Sequence, residues 1–237
     1  MVESFANMDT MMGAIIVEYH MAGDLSQLIT ESQKEIGTEA VKNIFKDLAA
    51  ALAYCHYGIR APDSPLPNWD AVIHKDIRLE NIFLSPDNNA PGGLTSILGD
   101  FGSSTNEAAE VQLRRQPRGA IRPGADPDWL PPEAPRITAK SDVWGLATVM
   151  ACVCQRVAQP RELRKTLGNY HVGGDDGRSH YEIHARYGRR FGEIVREMER
   201  EDVGRRWDSR KVFQEVEVGV VYTPWQGGDE EFIPLPR

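Results

Sequence analysis

Apolar and polar positions follow several different periods along the chain, and each period predicts its own element. Residues 14–19, Ala-Ile-Ile-Val-Glu-Tyr, form a short β-branched apolar run that predicts a strand, and Val2-Glu3-Ser4-Phe5 reads as the preceding strand of the same sheet. Met21-Ala22-Gly23-Asp24 is then a turn, with Asp24 capping a helix through Leu25, Leu28 and Ile29. From Thr38 onward, Val41, Ile44, Phe45, Leu48, Leu52 and Cys55 share one face of a 3.6-residue period, the strongest helical signal in the sequence. Residues 59–70 hold three prolines and predict a loop. Asn81–Leu84 and Thr95–Leu98 are short strand signals joined by the turn-rich Ser-Pro-Asp-Asn-Asn-Ala-Pro-Gly-Gly-Leu, a hairpin with a loop longer than a tight turn needs. Residues 102–139 are polar, proline-rich and without period, the mark of a long irregular segment. Helical signals resume around 141–155, 179–200 and 208–217, and the tail after them reads as extended.

Composition narrows what such a chain can be. With 41% hydrophobic residues among 237, it can bury one sizeable core, so a single domain is expected. The balance of 27 basic against 35 acidic residues, a formal charge of −8, argues against a nucleic-acid partner, whose phosphates need a broadly positive face. Cys55, Cys152 and Cys154 are too few for a disulfide framework, and the C-x-C pair ends the apolar run from Leu146 with no second ligand pair, so buried thiols are expected. The first twenty residues lack the basic flank and cleavage site of a signal peptide, and no apolar run approaches about 20 residues. A soluble, intracellular protein, cytoplasmic or nuclear and without a membrane partner, is the expectation.

The candidate chemistry lies around the predicted hairpin. His74-Lys75-Asp76-Ile77-Arg78-Leu79-Glu80-Asn81 precedes its first strand, and Asp100-Phe101-Gly102 follows its second. Taken singly, each is an ordinary turn beside a strand. Together they place carboxylates and an amide, hard oxygen donors suited to magnesium, at one end of one hairpin. Pro132-Glu133, Ser141-Asp142-Val143-Trp144, and Asp202 with Arg206 follow in fixed order.

In that order and rough spacing, the chain resembles the eukaryotic protein kinase superfamily, and within it the NIMA-related (Nek) serine/threonine kinases. The nearer resemblance rests on Glu18-Tyr19-His20-Met21-Ala22-Gly23-Asp24-Leu25, on Phe83 two residues after Asn81, and on Gly99 immediately before Asp100. It implies an α+β, kinase-like fold, mainly the helical C-terminal lobe with residual N-lobe strands. Residues 1–19 would be those strands and the hinge, 20–217 the C-terminal lobe, and 218–237 a tail. Within the lobe lie a catalytic loop at 74–81, a metal loop at 100–102 and an activation segment at 102–133. The implied activity is ATP-dependent phosphoryl transfer to serine or threonine of a protein partner, with magnesium. Asp76 would orient and deprotonate the acceptor hydroxyl, Arg78 stand where a cation stabilises the transferring group, and Asn81 and Asp100 coordinate magnesium. Backbone groups of Glu18 and His20 would bond the adenine edge above a Phe83 floor. His74 and Gly102 would shape the loops, Asp142 would brace the catalytic loop, and Glu133 would pair with Arg206. Small-molecule phosphotransferases that share H-x-D-x4-N are disfavoured by Pro132-Glu133 and the D-x-W element.

Four departures from the pattern shape the expectations. No G-x-G-x-x-G occurs, and the first lysine is Lys34, beyond the hinge, so the sequence corresponds to a kinase domain whose N-terminal lobe is truncated. Weak nucleotide affinity and little transfer by this chain alone are expected, which leaves a pseudokinase-like interaction module as the alternative. Asp126 stands where the family's substrate-binding loop has threonine, placing a carboxylate near Asp76. Between Thr105 and Thr138 there is no Ser, Thr or Tyr, and Arg114, Arg115, Arg118 and Arg122 make the segment basic: either a solvated loop or a docking strip for acidic peptide or phosphate. Lys75 replaces an arginine, losing the planar fork that grips a loop phosphate. His56, His171, His180 and His184 show no metal-ligand spacing, and Trp144 with Leu146, Val149 and Met150 reads as core.

Overall fold

The computed structural model describes residues 3–7, 12–31, 36–59, 66–109, 126–166, 183 and 186–219. Expectations for 60–65, 110–125, 179–182 and 220–237 lie outside the described residues. Among the described residues the architecture is α+β: three two-stranded antiparallel pairs and a set of helices around one core.

Strands β1 (Glu3–Asn7) and β2 (Met12–Ile16) pair in the register Glu3 with Ile16 and Asn7 with Met12. The expected strand at 14–19 is thus shifted toward the N-terminus: its pairing stops at Ile16, opposite Glu3 at the start of β1, and residues 17–20 continue without a ladder. Helix α1 (Leu25–Glu31) starts as anticipated, Asp24 Oδ1 accepting from the Gln27 N–H at 2.9 Å.

Helix α2 (Thr38–Tyr57) is the spine. Val41, Ile44, Phe45, Leu48, Leu52 and Cys55 are all buried, as their period requires. Each fully buried large side chain on this stripe is worth about 1.5–3 kcal/mol over its exposed state. Phe45 packs its ring against Phe191 at 4.9 Å, which draws a distant helix onto α2.

Two polar groups on α2 fix the hairpin of β4 (Ile82–Pro86) and β5 (Leu94–Leu98). Asn43 Nδ2 donates to the Leu94 carbonyl at 2.7 Å, and Asp47 Oδ2 accepts from the Ser96 N–H at 2.8 Å. Ile82 pairs with Leu98 and Pro86 with Leu94, so both strands run further than the apolar runs alone predicted. Between α2 and β4, the short β3 (Val72–Ile73) pairs with β6 (Thr105–Asn106), bracketing the hairpin and the loops at its ends.

Helix α3 (Ala139–Gln155) is buried along almost its whole length, including Trp144, Leu146, Val149 and Met150. Helices α4 (Pro160–Thr166), α5 (Arg189–Met198) and α6 (Ser209–Gly219) follow along the chain. No apolar period predicts α4. Cys55, Cys152 and Cys154 are free and buried. Burial pushes the Cys55 thiol up to about 11 and raises Cys152 and Cys154 well above the usual thiol range, so they stay protonated, inert members of the core. Among the described residues no helix is long and apolar enough to cross a membrane.

Candidate active site

The loop between β3 and β4 is built around one buried carboxylate. Asp142, in the first turn of α3, is 2% exposed. Its Oδ2 accepts from the His74 N–H at 2.7 Å and its Oδ1 from the Lys75 N–H at 2.9 Å. Lys75 sits at φ 70, a left-handed conformation that a residue with a Cβ adopts at a cost, and the Asp142 contact holds it there. Gly145, one turn along α3, lets the helix approach this loop: a Cβ there would come within 2.8 Å of Ile77 Cβ.

His56 is the third partner of Asp142. Its Nε2 lies 3.0 Å from Asp142 Oδ2 and its Nδ1 lies 2.8 Å from Ser209 Oγ, linking α2, α3 and α6 behind the loop. Metal spacing was the wrong test for this histidine. Its place one turn after Leu52 on the buried face of α2 was the available signal.

His74 joins the two halves of the site. Its ring, fully buried, meets the Gly99 carbonyl through Nε2 at 2.8 Å and accepts the Asp76 N–H through Nδ1 at 3.3 Å. The tautomer with hydrogen on Nε2 satisfies both contacts. The same ring meets Phe101 edge-on at 4.7 Å, so one side chain touches both the 74–81 loop and the 99–102 turn.

Asp76 and Asn81 are brought together directly. Asn81 Nδ2 donates to the Asp76 carbonyl at 2.8 Å and to Asp76 Oδ2 at 3.1 Å, which leaves the amide oxygen as Asn81's remaining donor to a cation. The Gly99 N–H donates to the Asn81 carbonyl at 2.9 Å, tying the end of β5 to the same residue. Asp100 follows at φ 52, left-handed, with Oδ1 accepting from the Gly102 N–H at 3.2 Å. Among the described residues no group of three or more His, Cys, Asp or Glu could hold a metal ion. Two oxygen donors that need further ligands from elsewhere suit magnesium, which is commonly held by one or two protein groups plus phosphate oxygens.

The segment expected to meet adenine is tied to the hairpin. The Leu84 N–H donates to the Gly23 carbonyl at 2.9 Å, and Asp24 bridges Phe83. The His20 carbonyl accepts from the Gly23 N–H at 3.3 Å, so that backbone group already closes a turn. The rings of His20 and Phe83 lie near-parallel, centroids 5.8 Å apart and 18° between planes, and Glu18 lies in the exposed stretch leading to them. Gly99 packs beneath Phe83: a Cβ there would stand 2.3 Å from Phe83 Cε2. Gly99→Ala must therefore displace the Phe83 ring, and a loss of about 1–3 kcal/mol is expected, a fall of about 5 °C in Tm. Thermal unfolding of the two proteins checks this; an unchanged Tm would show that the ring has room.

Arg78 is not free-standing. Its Nε and Nη2 fork onto Glu80 at 2.7 and 2.9 Å, a contact the sequence reading missed. The Glu80 hydrogen bond raises the Arg78 guanidinium, and the Arg78 bond lowers the Glu80 carboxyl, so both stay charged. Asp126 does come near: it lines one pocket with Lys75, Asp76 and Arg78. Glu133 and Arg206 pair at 2.7 and 3.0 Å. Arg114, Arg115, Arg118, Arg122, His171, His180 and His184 lie outside the described residues.

A family model described as protein kinase domain matches residues 1–216. The chain is 34% identical over 166 residues to the G2-specific protein kinase fin1 of Schizosaccharomyces pombe, covering 65% of this chain and 21% of that protein. It is 30% identical over 163 residues to the G2-specific protein kinase nimA of Emericella nidulans, covering 60% and 22%. To the human serine/threonine-protein kinase Nek2 it is 28% identical over 146 residues, covering 59% and 28%. The chain thus spans only between about a fifth and just over a quarter of these relatives' own length.

Proposed function

The chain belongs to the protein kinase domain family, with NIMA-related serine/threonine kinases among its relatives, and from that membership we propose phosphoryl transfer to a serine or threonine hydroxyl of a protein substrate. The observation that carries the reading is the Asn81 amide clamped on Asp76 beside the Asp100 turn.

In this reading Asp76 receives and orients the acceptor hydroxyl and takes its proton as the oxygen attacks. Asn81 fixes the Asp76 carboxylate through Oδ2, so its orientation is set before the substrate arrives. Asn81 Oδ1 and the Asp100 carboxylate would hold magnesium, and the Phe83 shelf with the backbone at Glu18 and His20 would hold the adenine of ATP. Bound there, magnesium with ATP supplies the phosphoryl group and neutralises its charge. Arg78 would meet the transferring group only by loosening its fork on Glu80. His74 and Gly102 keep the two loops in register, since one spans them and the other supplies an N–H to Asp100.

Phosphate transfer from magnesium-ATP to dephosphorylated casein tests the reading. Asp76→Asn, which keeps the size and the hydrogen bond from Asn81, is expected to lower the rate at least about 100-fold. A wild-type rate no higher than that of Asp76→Asn would overturn the proposal. A second reading, an interaction module, is favoured by the exposed apolar side chains Ile16, Val17, Tyr19, Met21 and Phe101. No rise in Tm with millimolar magnesium-ATP, alongside no transfer, would select it, because a ligand stabilises only what it binds.

A further inference from the structure

The phosphoryl-transfer reading leaves unexplained a pocket beside Asp76 whose walls are not of one kind. Asp126 and Arg78 give it charge, while Trp129, Leu130, Pro131 and Ile137 give it apolar surface. We infer that Asp126 makes this pocket a receptor for a narrow cationic side chain, lysine above all, on the residue next to the acceptor hydroxyl. The inference rests on the proposed transfer to a protein hydroxyl and specifies which proteins would present one.

Charge comes first. Arg78 is forked onto Glu80 and also feels Asp76 and Asp126, so the two cations at the pocket, Arg78 and Lys75, face four carboxylates: Asp76, Glu80, Asp126 and the braced Asp142. Asp126 Oδ1 accepts one backbone bond, from the Asp128 N–H at 3.0 Å, which anchors the carboxylate without supplying a counter-cation. Size comes second. The pocket is partly open and its volume is about 40 Å³, room for roughly three waters. An unbranched stem could replace those waters; an aromatic ring could not. Leu130, Pro131 and Ile137 suit the methylenes of such a stem while Asp126 meets its charged end.

A third observation points to a peptide. Trp129 is 7% exposed, and its indole N–H is buried without an acceptor among the described residues. A buried orphan donor costs about 1–3 kcal/mol, and a peptide carbonyl is the acceptor a docked substrate brings. Reach fits as well, since Asp76 lines the same pocket and adjacent Cα atoms are about 3.8 Å apart.

The test is nucleotide-free binding to the full 237-residue chain, by fluorescence anisotropy, of three peptides differing only after the acceptor serine: lysine, leucine or glutamate. The lysine peptide is expected to bind about tenfold more tightly than the glutamate peptide. Asp126→Asn keeps an oxygen for the Asp128 N–H, and with it the local fold, yet should shrink the preference to about twofold. Asp126→Lys should reverse it. Equal binding of the peptides, a preference that survives Asp126→Asn, or no binding at all would overturn the inference. Because no ATP is present, a chain that prefers lysine but transfers no phosphate would unseat the transfer reading alone.

Discussion

Asp142→Ala is expected to lower Tm by about 10 °C and to abolish most of the proposed phosphate transfer. The carboxylate is buried, and its loss strands two main-chain donors, the His74 and Lys75 N–H groups, together with the His56 ring. Each orphaned donor costs about 1–3 kcal/mol, so a total of roughly 3–5 kcal/mol is reasonable, and a chain of this size loses about 2–4 °C per kcal/mol. Lys75 adds to the cost, because its left-handed backbone loses the contact that holds it. The loop carrying Asp76 then relaxes, and a misplacement of about 1 Å can cost a hundredfold in rate. Thermal unfolding checks the first part and the casein assay the second, and amide hydrogen exchange reads the loop itself. Faster exchange at His74 and Lys75 is the local signature, and a Tm change under about 2 °C would show that the loop stands without its brace.

The contrast between Asp142 and its partner His56 shows what a sequence exposes. Asp142 was readable because it sits in a D-x-W element with a family meaning, while His56 matches no motif and shows only as a polar residue on the apolar face of α2. Its contacts lie 86 and 153 residues away, a separation that no local period encodes. The same holds for β3 and β6, two residues each, whose pairing joins Val72 to Asn106. Strands that short are defined by the ladder rather than by their composition. Helix α2 and the β4–β5 hairpin were legible for the opposite reason: their apolar spacing repeats within a few residues of itself. Helix α4 has only seven residues, too few for a period to show, and opens with a proline, a residue that a helix accepts in its first turn.

The candidate site divides along the same line. The identities of Asp76, Asn81 and Asp100 were visible as motif, and so was the expected nearness of Asp126 to Asp76. The Glu80 fork that occupies Arg78 was not, since a Glu two residues from an Arg carries no helical or strand signal. Trp129 was visible only as an aromatic in an irregular segment. That its indole N–H is buried without an acceptor depends on walls supplied by several separate segments.

The second large effect is expected at Arg206, whose side chain is wholly buried. It donates to both Glu133 oxygens, to the Lys140 carbonyl at 2.9 Å and to the Arg200 carbonyl at 2.8 Å, and its guanidinium lies 4.9 Å over the Trp144 ring. Arg206→Met keeps much of the volume but leaves the Glu133 charge half-stranded, a loss of about 3–5 kcal/mol and about 10 °C in Tm. Burial pushes the Glu133 carboxyl up, but the bonds from Arg206 and Ser141 outweigh it and hold it below its usual 4.5. A depressed carboxyl stabilises the fold above the unfolded value and loses that contribution as pH falls through the folded one. In Arg206→Met the main depressing partner is gone and burial prevails, so Glu133 takes its proton at higher pH and sits neutral at little cost. The Tm gap between wild type and Arg206→Met should therefore be widest above about pH 5 and narrow as pH drops below about 4. Removing the stranded charge as well, in Arg206→Met with Glu133→Leu, should recover part of the loss at neutral pH. A gap that is independent of pH, with no recovery in the double variant, would mean that Arg206 acts through packing on Trp144 and the two carbonyls rather than through its ion pair.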